Sequence, residues 1–351
     1  MPIKTELHSS KVGDTLSKTI AITGAAGALG QSLVVYLKSI GCAVRILVTP
    51  NDNVTQLKDL VDHLVVGSVE DERCCDELLQ NADAVINCAA LLPSSLHLGE
   101  QKFLSVNVDG AMNILRAAER QGVIRAVFLS TIGVIDHTLK RTMHDLFDYR
   151  TQFLDSYSLS KIELEKRLLL QVPKTPVKIL IVRPAFIYGP KSVGLWKPIL
   201  DQIKSGIFKI LGNGEALFPV VFEDDLAQYI SQLLFDEEAF GKSSVVITAG
   251  PHQLSTKLLF DTIAEVLRCR QPSKVSVRLA YFCASIADRM PKWMRFGPLA
   301  LLTRRRVKEY SVGYDLSHIL NESSFGFDGR TPLRQGIERM VKAYNEEGFS
   351  T

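Results

Sequence analysis

The chain has 351 residues, a length that suits one large α/β unit as well as two or three smaller domains. Its formal net charge is only +3 and no basic stripe occurs, so we expect no nucleic-acid partner. The six cysteines lack disulfide-framework spacing and the seven histidines form no metal-ligand motif, so we expect reduced thiols and no metal site. No uncharged apolar run reaches the roughly 18 residues of a spanning helix. We therefore expect a cytoplasmic protein that begins with a flexible tail over residues 1–18.

The first apolar run, Thr19–Thr23, predicts a buried strand that leads directly into a glycine-rich turn and then into a helix. This order is typical of dinucleotide-binding proteins, because glycines let the backbone approach a pyrophosphate and the helix N-terminus offers free N–H groups. A tight turn without a ligand is the alternative interpretation. The residues predicted to bind the cofactor here are Gly24, Ala26, Gly27, Ala28, Leu29 and Gly30.

Further strand ends supply the rest of the predicted cofactor site. The run Ala43–Val48 predicts the second strand, and Thr49 follows it where an acidic residue or an arginine usually selects the adenosine ribose. Arg45 lies in mid-strand and should not reach the ribose, so the lack of a phosphate clamp favours NAD over NADP. The residues predicted to line the cofactor beyond later strands are Ser68, Val69, Cys88, Ala89 and Ala90.

Apolar strands and helical patterns alternate along the first half of the chain. This alternation predicts an α/β fold: a Rossmann-type doubly wound parallel sheet with a smaller, mixed C-terminal substrate-binding region. We assign residues 19–190 to the dinucleotide-binding domain, with 220–250 returning to the sheet. Residues 191–219 and 251–351 are assigned to the substrate-binding region.

Tyr157 and Lys161 are four residues apart, so they lie on one face of a predicted helix. A free phenol has a pKa of about 10. An ammonium roughly 4 Å away favours the phenolate by about 4 kcal/mol, which would bring the pKa of Tyr157 close to neutrality. The same spacing arises by chance in many helices, so this prediction depends on the nucleotide motif upstream.

Taken in order, these motifs resemble those of the extended short-chain dehydrogenases/reductases, within the NAD-dependent epimerase/dehydratase superfamily. The resemblance covers nearly the whole chain and is greatest to the hydroxysteroid and sterol dehydrogenase branch. The motifs that carry it are Thr23-Gly24-x-x-Gly27-x-x-Gly30, Asn87-Cys88-Ala89-Ala90, Val106–Gly110, Ser130-Thr131, Tyr157-x-x-x-Lys161, Arg183–Pro190 and Asp224–Ala227.

The resemblance implies a catalytic set of Thr131, Tyr157, Lys161 and Asn107. Tyr157 would be the general acid/base, and Thr131 would hold the substrate oxygen, with Ser130 as the alternative if the register differs by one. Lys161 would lower the pKa of Tyr157 and bind the nicotinamide ribose, and Asn107 would support it through a water. The turn after Pro184, which includes Ile187, would border the nicotinamide.

The implied activity is NAD(P)-dependent interconversion of a secondary alcohol and a ketone on an apolar, possibly steroid-like small molecule. Ile132 and Gly133 stand where sugar dehydratases of the superfamily carry an Asp-Glu pair, which argues against dehydration. A nucleotide-sugar epimerase that uses transient oxidation, and a non-catalytic NAD(P)-binding regulator, are the alternatives. The resemblance also allows a homodimer built on the helices of Asn107 and Tyr157.

The segment 279–308 is apolar and aromatic, and it ends in a cationic run at Arg304, Arg305 and Arg306. It suits a lid over a lipophilic substrate, a peripheral membrane contact or ordinary packing. The arginines would also suit a diphosphate. Before this segment, we predict that Asp224 or Asp225 caps a helix; after it, we predict that Thr331 caps the last helix.

Overall fold

The structure, a computed structural model, describes residues 18–135, 149–151, 154–242, 244–250, 254–290, 303–316, 327 and 329–348. The tail predicted over residues 1–18 therefore lies outside the described residues except for Lys18. The part of the apolar segment between residues 291 and 302 lies outside them as well.

A seven-stranded parallel sheet with flanking helices forms the centre of the fold, which confirms the predicted class. Its strands are β1 (Thr19–Thr23), β2 (Ala43–Val48), β3 (His63–Val66), β4 (Ala84–Asn87), β5 (Arg125–Leu129), β6 (Lys178–Pro184) and β10 (Val245–Thr248). Their spatial order is β10-β6-β5-β4-β1-β2-β3. The order reverses between β1 and β4, and in such sheets ligands bind beyond the carboxyl ends of the strands at the reversal.

The helices between the strands follow the apolar periodicity of the sequence. The helical stretch from Glu100 to Gln121 contains a π-helical segment, Leu104–Asp109. The helices are α1 (Ala28–Ser39), α2 (Glu72–Leu79), α3 (Glu100–Phe103), α4 (Gly110–Gln121), α5 (Ser156–Gln171), α6 (Val193–Lys204), α7 (Glu223–Phe235), α8 (Glu237–Lys242), α9 (Thr256–Val266), α10 (Val277–Ala287), α11 (Arg304–Val312) and α12 (Leu333–Gly348).

The chain divides into two compact units. Unit 1 consists of Met1–Leu129, Ser160–Val182 and Ala227–Val245, and unit 2 of Ser130–Leu159, Arg183–Leu226 and Val246–Thr351. Each unit is built from chain segments that are far apart in sequence. The domain boundaries predicted above follow the chain more closely than these units do, and they stay a prediction.

Unit 1 has an aliphatic core with a few large rings. Its β1 residues from Ile20 to Ile22 are fully buried, as are Phe103 and Phe128. The strands are buried because helices cover a parallel sheet, which explains why they appear in the sequence as continuous apolar runs.

Unit 2 has an aromatic core around two short parallel strand pairs. The pairs are β7 (Phe186–Tyr188) with β9 (Val220–Phe222), and β8 (Lys209–Leu211) with β11 (Ser273–Val275). The ring of Phe218 stacks on Phe186 with centroids 4.3 Å apart and on Tyr310 at 5.8 Å. Aromatic contacts of this kind bury large apolar areas in a small volume.

Two capping predictions in unit 2 are wrong. Helix α7 begins at Glu223, so Asp224 and Asp225 lie inside its first turn. The carboxylate of Asp225 instead accepts hydrogen bonds from the backbone N–H and the hydroxyl of Thr331, at 2.9 and 2.8 Å. Thr331 therefore ties the chain ahead of α12 to α7, and its hydroxyl serves this long-range contact.

Candidate functional site

The glycine turn after β1 has no room for a side chain at its first position. Gly24 has a φ of +63°, and a Cβ there would lie 2.7 Å from the backbone nitrogen of Ala89. A Cβ at Gly30 would overlap the Gly24 carbonyl oxygen, because the first turn of α1 is packed against the end of β1. These two glycines allow the close backbone approach that a dinucleotide fingerprint requires.

Helix α1 begins at the same turn, and its N-terminus has no side-chain cap. Gly27 occupies the N-cap position, is exposed, and offers no side chain that could bind the helix N–H groups. Ala26 and Ala28 beside it are half-buried, whereas Leu29 packs inward. An uncapped helix N-terminus presents free N–H groups and a partial positive charge, which are the groups that bind a pyrophosphate. The predicted turn residues thus fit the phosphates of a dinucleotide.

The buried Thr23 side chain links the ends of β1 and β4 by hydrogen bonds. The hydroxyl of Thr23 donates to Asn87 Oδ1 at 2.6 Å and accepts from the backbone N–H of Ala89 at 3.1 Å. The predicted residues Cys88, Ala89 and Ala90 follow β4 and are all half-buried. Small side chains at a strand end let a flat cofactor lie close to the backbone.

The end of β2 carries a turn closed by a carboxylate. Asp52 accepts a hydrogen bond of 2.6 Å from the backbone N–H of Thr49, and both residues are exposed. Arg45 is held elsewhere, since it donates to the carbonyl oxygens of Leu78 and Glu77, each at 2.8 Å. The structure therefore places a carboxylate beside Thr49 and holds Arg45 away from it.

The end of β3 leads into a polar network. Glu70 accepts from Lys102 Nζ at 2.7 and 2.8 Å and from the hydroxyls of Ser68 and Ser105. Burial is the largest single effect on the pKa of Glu70 and raises it, but the bonds from Lys102, Ser105 and Ser68 and the Lys102 charge together outweigh it and hold the pKa below its usual value. Val69 is buried, and its carbonyl oxygen accepts from Asn113 Nδ2 at 2.9 Å.

Asn107 lies in the π-helical segment and is fully buried. Its amide accepts from the N–H of Leu91 at 2.7 Å, donates to the carbonyl oxygen of Leu91 at 3.2 Å, and donates to the Ser160 hydroxyl at 2.8 Å. Sequence reasoning missed Ser160, which is fully buried next to Lys161. The sequence does contain a signal for Ser160, because this small hydroxyl residue directly precedes Lys161 on the same predicted helix. π-Helical segments often occur at functional sites.

Lys161 is almost completely buried and donates from Nζ to the carbonyl oxygen of Leu129 at 2.7 Å, at the end of β5. Burial lowers the pKa of Lys161 to about 8, while the nearby Cys88 and Glu165 act in the opposite direction. Burial raises the pKa of the Cys88 thiol to about 12, and Lys161 partly offsets this rise. The ammonium of Lys161 therefore binds a strand-end carbonyl.

The Thr131 side chain lies close enough to the Tyr157 phenol to lower its pKa through a hydrogen bond. Helix α5 carries Tyr157 in its first turn and Lys161 one turn later, as the spacing predicts. Thr131 follows β5, and its hydroxyl also accepts from the backbone N–H of Gly133 at 3.1 Å. The neighbouring Ser130 is buried. Two hydroxyl groups are thus paired at the start of the helix, an arrangement that can hold and protonate one oxygen atom.

The expected lowering of the Tyr157 pKa is wrong. Burial raises the pKa of Tyr157 strongly, Asp155 raises it further, and the bond with Thr131 lowers it in part. Asp155 is a residue that sequence reasoning missed. Its carboxylate accepts from the Ser158 N–H at 2.7 Å near the start of α5, so a helix-capping pattern would have found it. The phenol is therefore protonated at neutral pH.

The two remaining predicted cofactor residues lie in unit 2. Pro184 ends β6, and Ile187 lies in β7, where its carbonyl oxygen accepts from the indole N–H of Trp196 at 2.8 Å. Among the described residues, no group of three or more His, Cys, Asp or Glu side chains is placed to hold a metal ion. No helix in the described ranges combines the length and apolar character needed to cross a bilayer.

Comparisons with known proteins agree with this geometry. A ketoreductase from Stigmatella aurantiaca, acting on 4-hydroxy-2-methyl-3-oxo-4-farnesyl-3,4-dihydroquinoline-1-oxide, is 23% identical over 92% of this chain and 95% of its own length. The human sterol-4-alpha-carboxylate 3-dehydrogenase (decarboxylating) is 26% identical over 64% of this chain and 59% of its own length. The structure of the Thermus thermophilus UDP-glucose 4-epimerase in complex with NAD matches 93% of this chain and 99% of its own, with a TM-score of 0.66 at 17% identity.

Residues 20–247 match the NAD dependent epimerase/dehydratase family, a range that runs from β1 to the last strand of the central sheet. The chain therefore belongs to this family and has the fold of the extended short-chain dehydrogenases/reductases, as the motifs predicted.

Proposed function

We propose that the protein is an NAD(P)-dependent oxidoreductase that interconverts a secondary alcohol and a ketone on an apolar substrate. The observation that carries this proposal is the pairing of the Tyr157 and Thr131 hydroxyl groups beyond the end of β5. A protein that only binds a dinucleotide needs the glycine turn but has no need of a proton donor paired with a second hydroxyl. The regulator alternative leaves this pair without a role.

Each residue of the pair has a definite task in this proposal. When bound, the nicotinamide ring supplies or accepts the hydride. Thr131 donates a hydrogen bond to the substrate oxygen and fixes its position. Tyr157 exchanges the proton with that oxygen. Because its pKa is raised, Tyr157 carries its proton at neutral pH, which is the state that ketone reduction requires.

Lys161 and Asn107 would position the cofactor and the helix rather than transfer protons. Lys161 is charged below its pKa of about 8, so at neutral pH its ammonium can donate to ribose hydroxyls. Asn107 donates a buried hydrogen bond to Ser160, the residue that precedes Lys161. Cys88, Ala89 and Ala90 would line the nicotinamide side of the site.

NAD is the cofactor that the end of β2 favours. The Asp52 carboxylate beside Thr49 would repel a 2′-phosphate, and Arg45, the cation of this strand, is bound to two carbonyl groups. We expect NADH to bind more tightly than NADPH. The two dissociation constants, measured by fluorescence titration, test this, and a preference for NADPH would contradict it.

The apolar substrate class has two lines of support. The core of unit 2 contains stacked and edge-to-face aromatic rings, including Phe186, Phe218 and Tyr314. Two of the relatives act on lipophilic molecules by name, a farnesylated quinoline oxide and a sterol carboxylate.

The proposal is tested by following nicotinamide absorbance with a panel of apolar ketones, 3-oxoacids and oxosteroids, using NADH and NADPH in parallel. We expect cofactor oxidation with at least one apolar ketone. Oxidation of neither cofactor by any ketone, in a protein shown to bind the cofactor, would contradict the proposal.

A nucleotide-sugar epimerase is the second candidate, because its chemistry uses the same tyrosine and a member of this class matches the whole fold. It predicts that oxidised cofactor stays bound through purification and that UDP-sugars raise the melting temperature. The oxidoreductase proposal predicts exchangeable cofactor and no response to UDP-sugars.

A further inference from the structure

Helix α10 has two faces of different character, although both are apolar. Ala280 and Ala284 are buried, and they pack with Val307 of α11. On the opposite side, Leu279, Phe282 and Ile286 follow one another at helical spacing, and all three are exposed. These three residues, with Tyr281 at their edge, are called the α10 face below.

The α10 face is unusual within the molecule. Phe282 is 64% exposed, the highest value of any large apolar side chain in the described ranges, and Leu279 and Ile286 are 54% and 48% exposed. Single exposed apolar residues are ordinary, but a row of them on one helix needs a partner. Packing of α10 on α11 explains only the alanine face.

Helices α10 and α11 and the residues beside them are rich in cations. From Ser273 to Arg289, three cations stand against one acid, and from Thr303 to Val312, four stand against one. These two stretches carry more positive charge than the whole chain with its net +3. Asp288, the acid of the first stretch, is paired with Arg304 at 3.0 Å.

The cations nearest the α10 face lie on its own helix and just beyond its end. Arg278 and Arg289 are both exposed, and at 100° per residue Arg278 projects beside Phe282 on the helix surface. Arg289 lies two residues past the helix end and donates from Nη1 to the Ser285 carbonyl oxygen at 3.1 Å. Helix α10 itself contains no acidic residue. An apolar row flanked by arginines and by a tyrosine is the pattern of a helix that lies in a lipid interface.

We propose that the α10 face docks on an anionic phospholipid bilayer, with Leu279, Phe282 and Ile286 entering the headgroup region and Arg278 and Arg289 facing the lipid phosphates. The apolar row supplies the insertion, and the arginines make it selective for anionic lipid. This contact is peripheral, and it is independent of the reaction proposed above.

The test is co-sedimentation of the full chain with vesicles of phosphatidylcholine alone and of phosphatidylcholine mixed with phosphatidylserine. We expect binding to the mixed vesicles that weakens as salt is raised, because each arginine near an anionic surface contributes about fivefold in affinity at low salt. The absence of binding to the mixed vesicles, or equal binding to both kinds, would overturn the proposal.

Two variant pairs separate insertion from charge. Phe282→Asp should lower the vesicle affinity at least about tenfold, whereas Leu258→Asp on α9, which is 51% exposed in the same unit, should leave it unchanged. Reversal of Arg278 and Arg289 to Glu should remove the salt-dependent part of binding. Reversal of the exposed Lys58 and Arg73 to Glu should not.

Analytical ultracentrifugation of the free protein tests the main alternative occupant of this face, a second copy of the chain. We expect Phe282→Asp to leave the oligomeric state unchanged. If the variant instead dissolves an oligomer, or if both aspartate variants lose vesicle binding equally, the proposal is overturned.

Discussion

The glycine turn of unit 1 and the hydroxyl pair of unit 2 depend on different parts of the chain, the first on the backbone and the second on side chains. The turn is a backbone feature in which Gly24 leaves space that a single carbon atom would fill. The pair at Thr131 and Tyr157 is a side-chain feature that depends on two oxygen atoms. The first should therefore fail when an atom is added, and the second when an atom is removed.

The largest effect is expected from Gly24→Ala. The new Cβ would meet the backbone of Cys88 and Ala89 at a φ of +63°, so we expect cofactor affinity to fall at least about 100-fold and the melting temperature to drop. The matched control is Gly122→Ala, where φ is +71° and nothing lies within 4 Å. It should lose about 1 kcal/mol of stability and keep its cofactor affinity. Equal affinity losses in both variants would refute the role of the turn.

Removal of one oxygen from the pair comes next. Thr131→Val keeps the shape of the side chain but loses the hydroxyl, so turnover should fall roughly 100-fold while the cofactor dissociation constant is unchanged. Thr131→Ser restores the hydroxyl and should recover most of the activity. Steady-state kinetics with direct cofactor titration measure both. Similar turnover in the valine and serine variants would show that this hydroxyl is not used.

Lys161 gives a prediction for the dependence of stability on pH. Its pKa is about 8 in the folded protein and 10.5 in its ordinary state, so the unfolded chain binds its proton more tightly. Stability of the wild type relative to Lys161→Met should therefore rise between about pH 8 and pH 10.5, by on the order of 3 kcal/mol. Urea unfolding of both proteins across this range measures the difference. A flat difference, or one that falls, would mean that Lys161 is not desolvated.

The smallest effect is expected from Ser160→Ala. The Asn107 amide would lose its acceptor in a buried environment, which should cost about 1 kcal/mol of stability. Ser158→Ala, two residues earlier on α5, is the control, and it should cost less because no side-chain hydrogen bond to a described residue is lost. Chemical denaturation resolves this difference. A larger loss in the control would contradict the proposed role of Ser160.

The sequence predicted unit 1 more completely than unit 2. Strands β1 and β2 have the predicted bounds, because buried parallel strands and a glycine turn leave a local signature in the chain. The aromatic core of unit 2 joins residues from Phe186 to Tyr314 and has no such signature. The Thr331–Asp225 contact joins residues that are 106 positions apart, so it leaves no local signature in the sequence either.

The electrostatics of the site could not be predicted from spacing. Four-residue spacing placed Tyr157 and Lys161 on one helix, but the pKa values depend on burial and on what each group contacts. Lys161 is bound to the Leu129 carbonyl, and Tyr157 is desolvated beside Asp155, so both pKa values move against the charged form. Only the folded environment contains this information.

Tyr157→Phe tests the central claim most directly, because it removes one oxygen and leaves the ring. The measurement is turnover of an identified ketone substrate together with the dissociation constant of the reduced cofactor, in the wild type and in the variant. Turnover should fall at least about 1,000-fold while the cofactor constant changes little. Retained turnover would show that Tyr157 is not the acid/base of this protein.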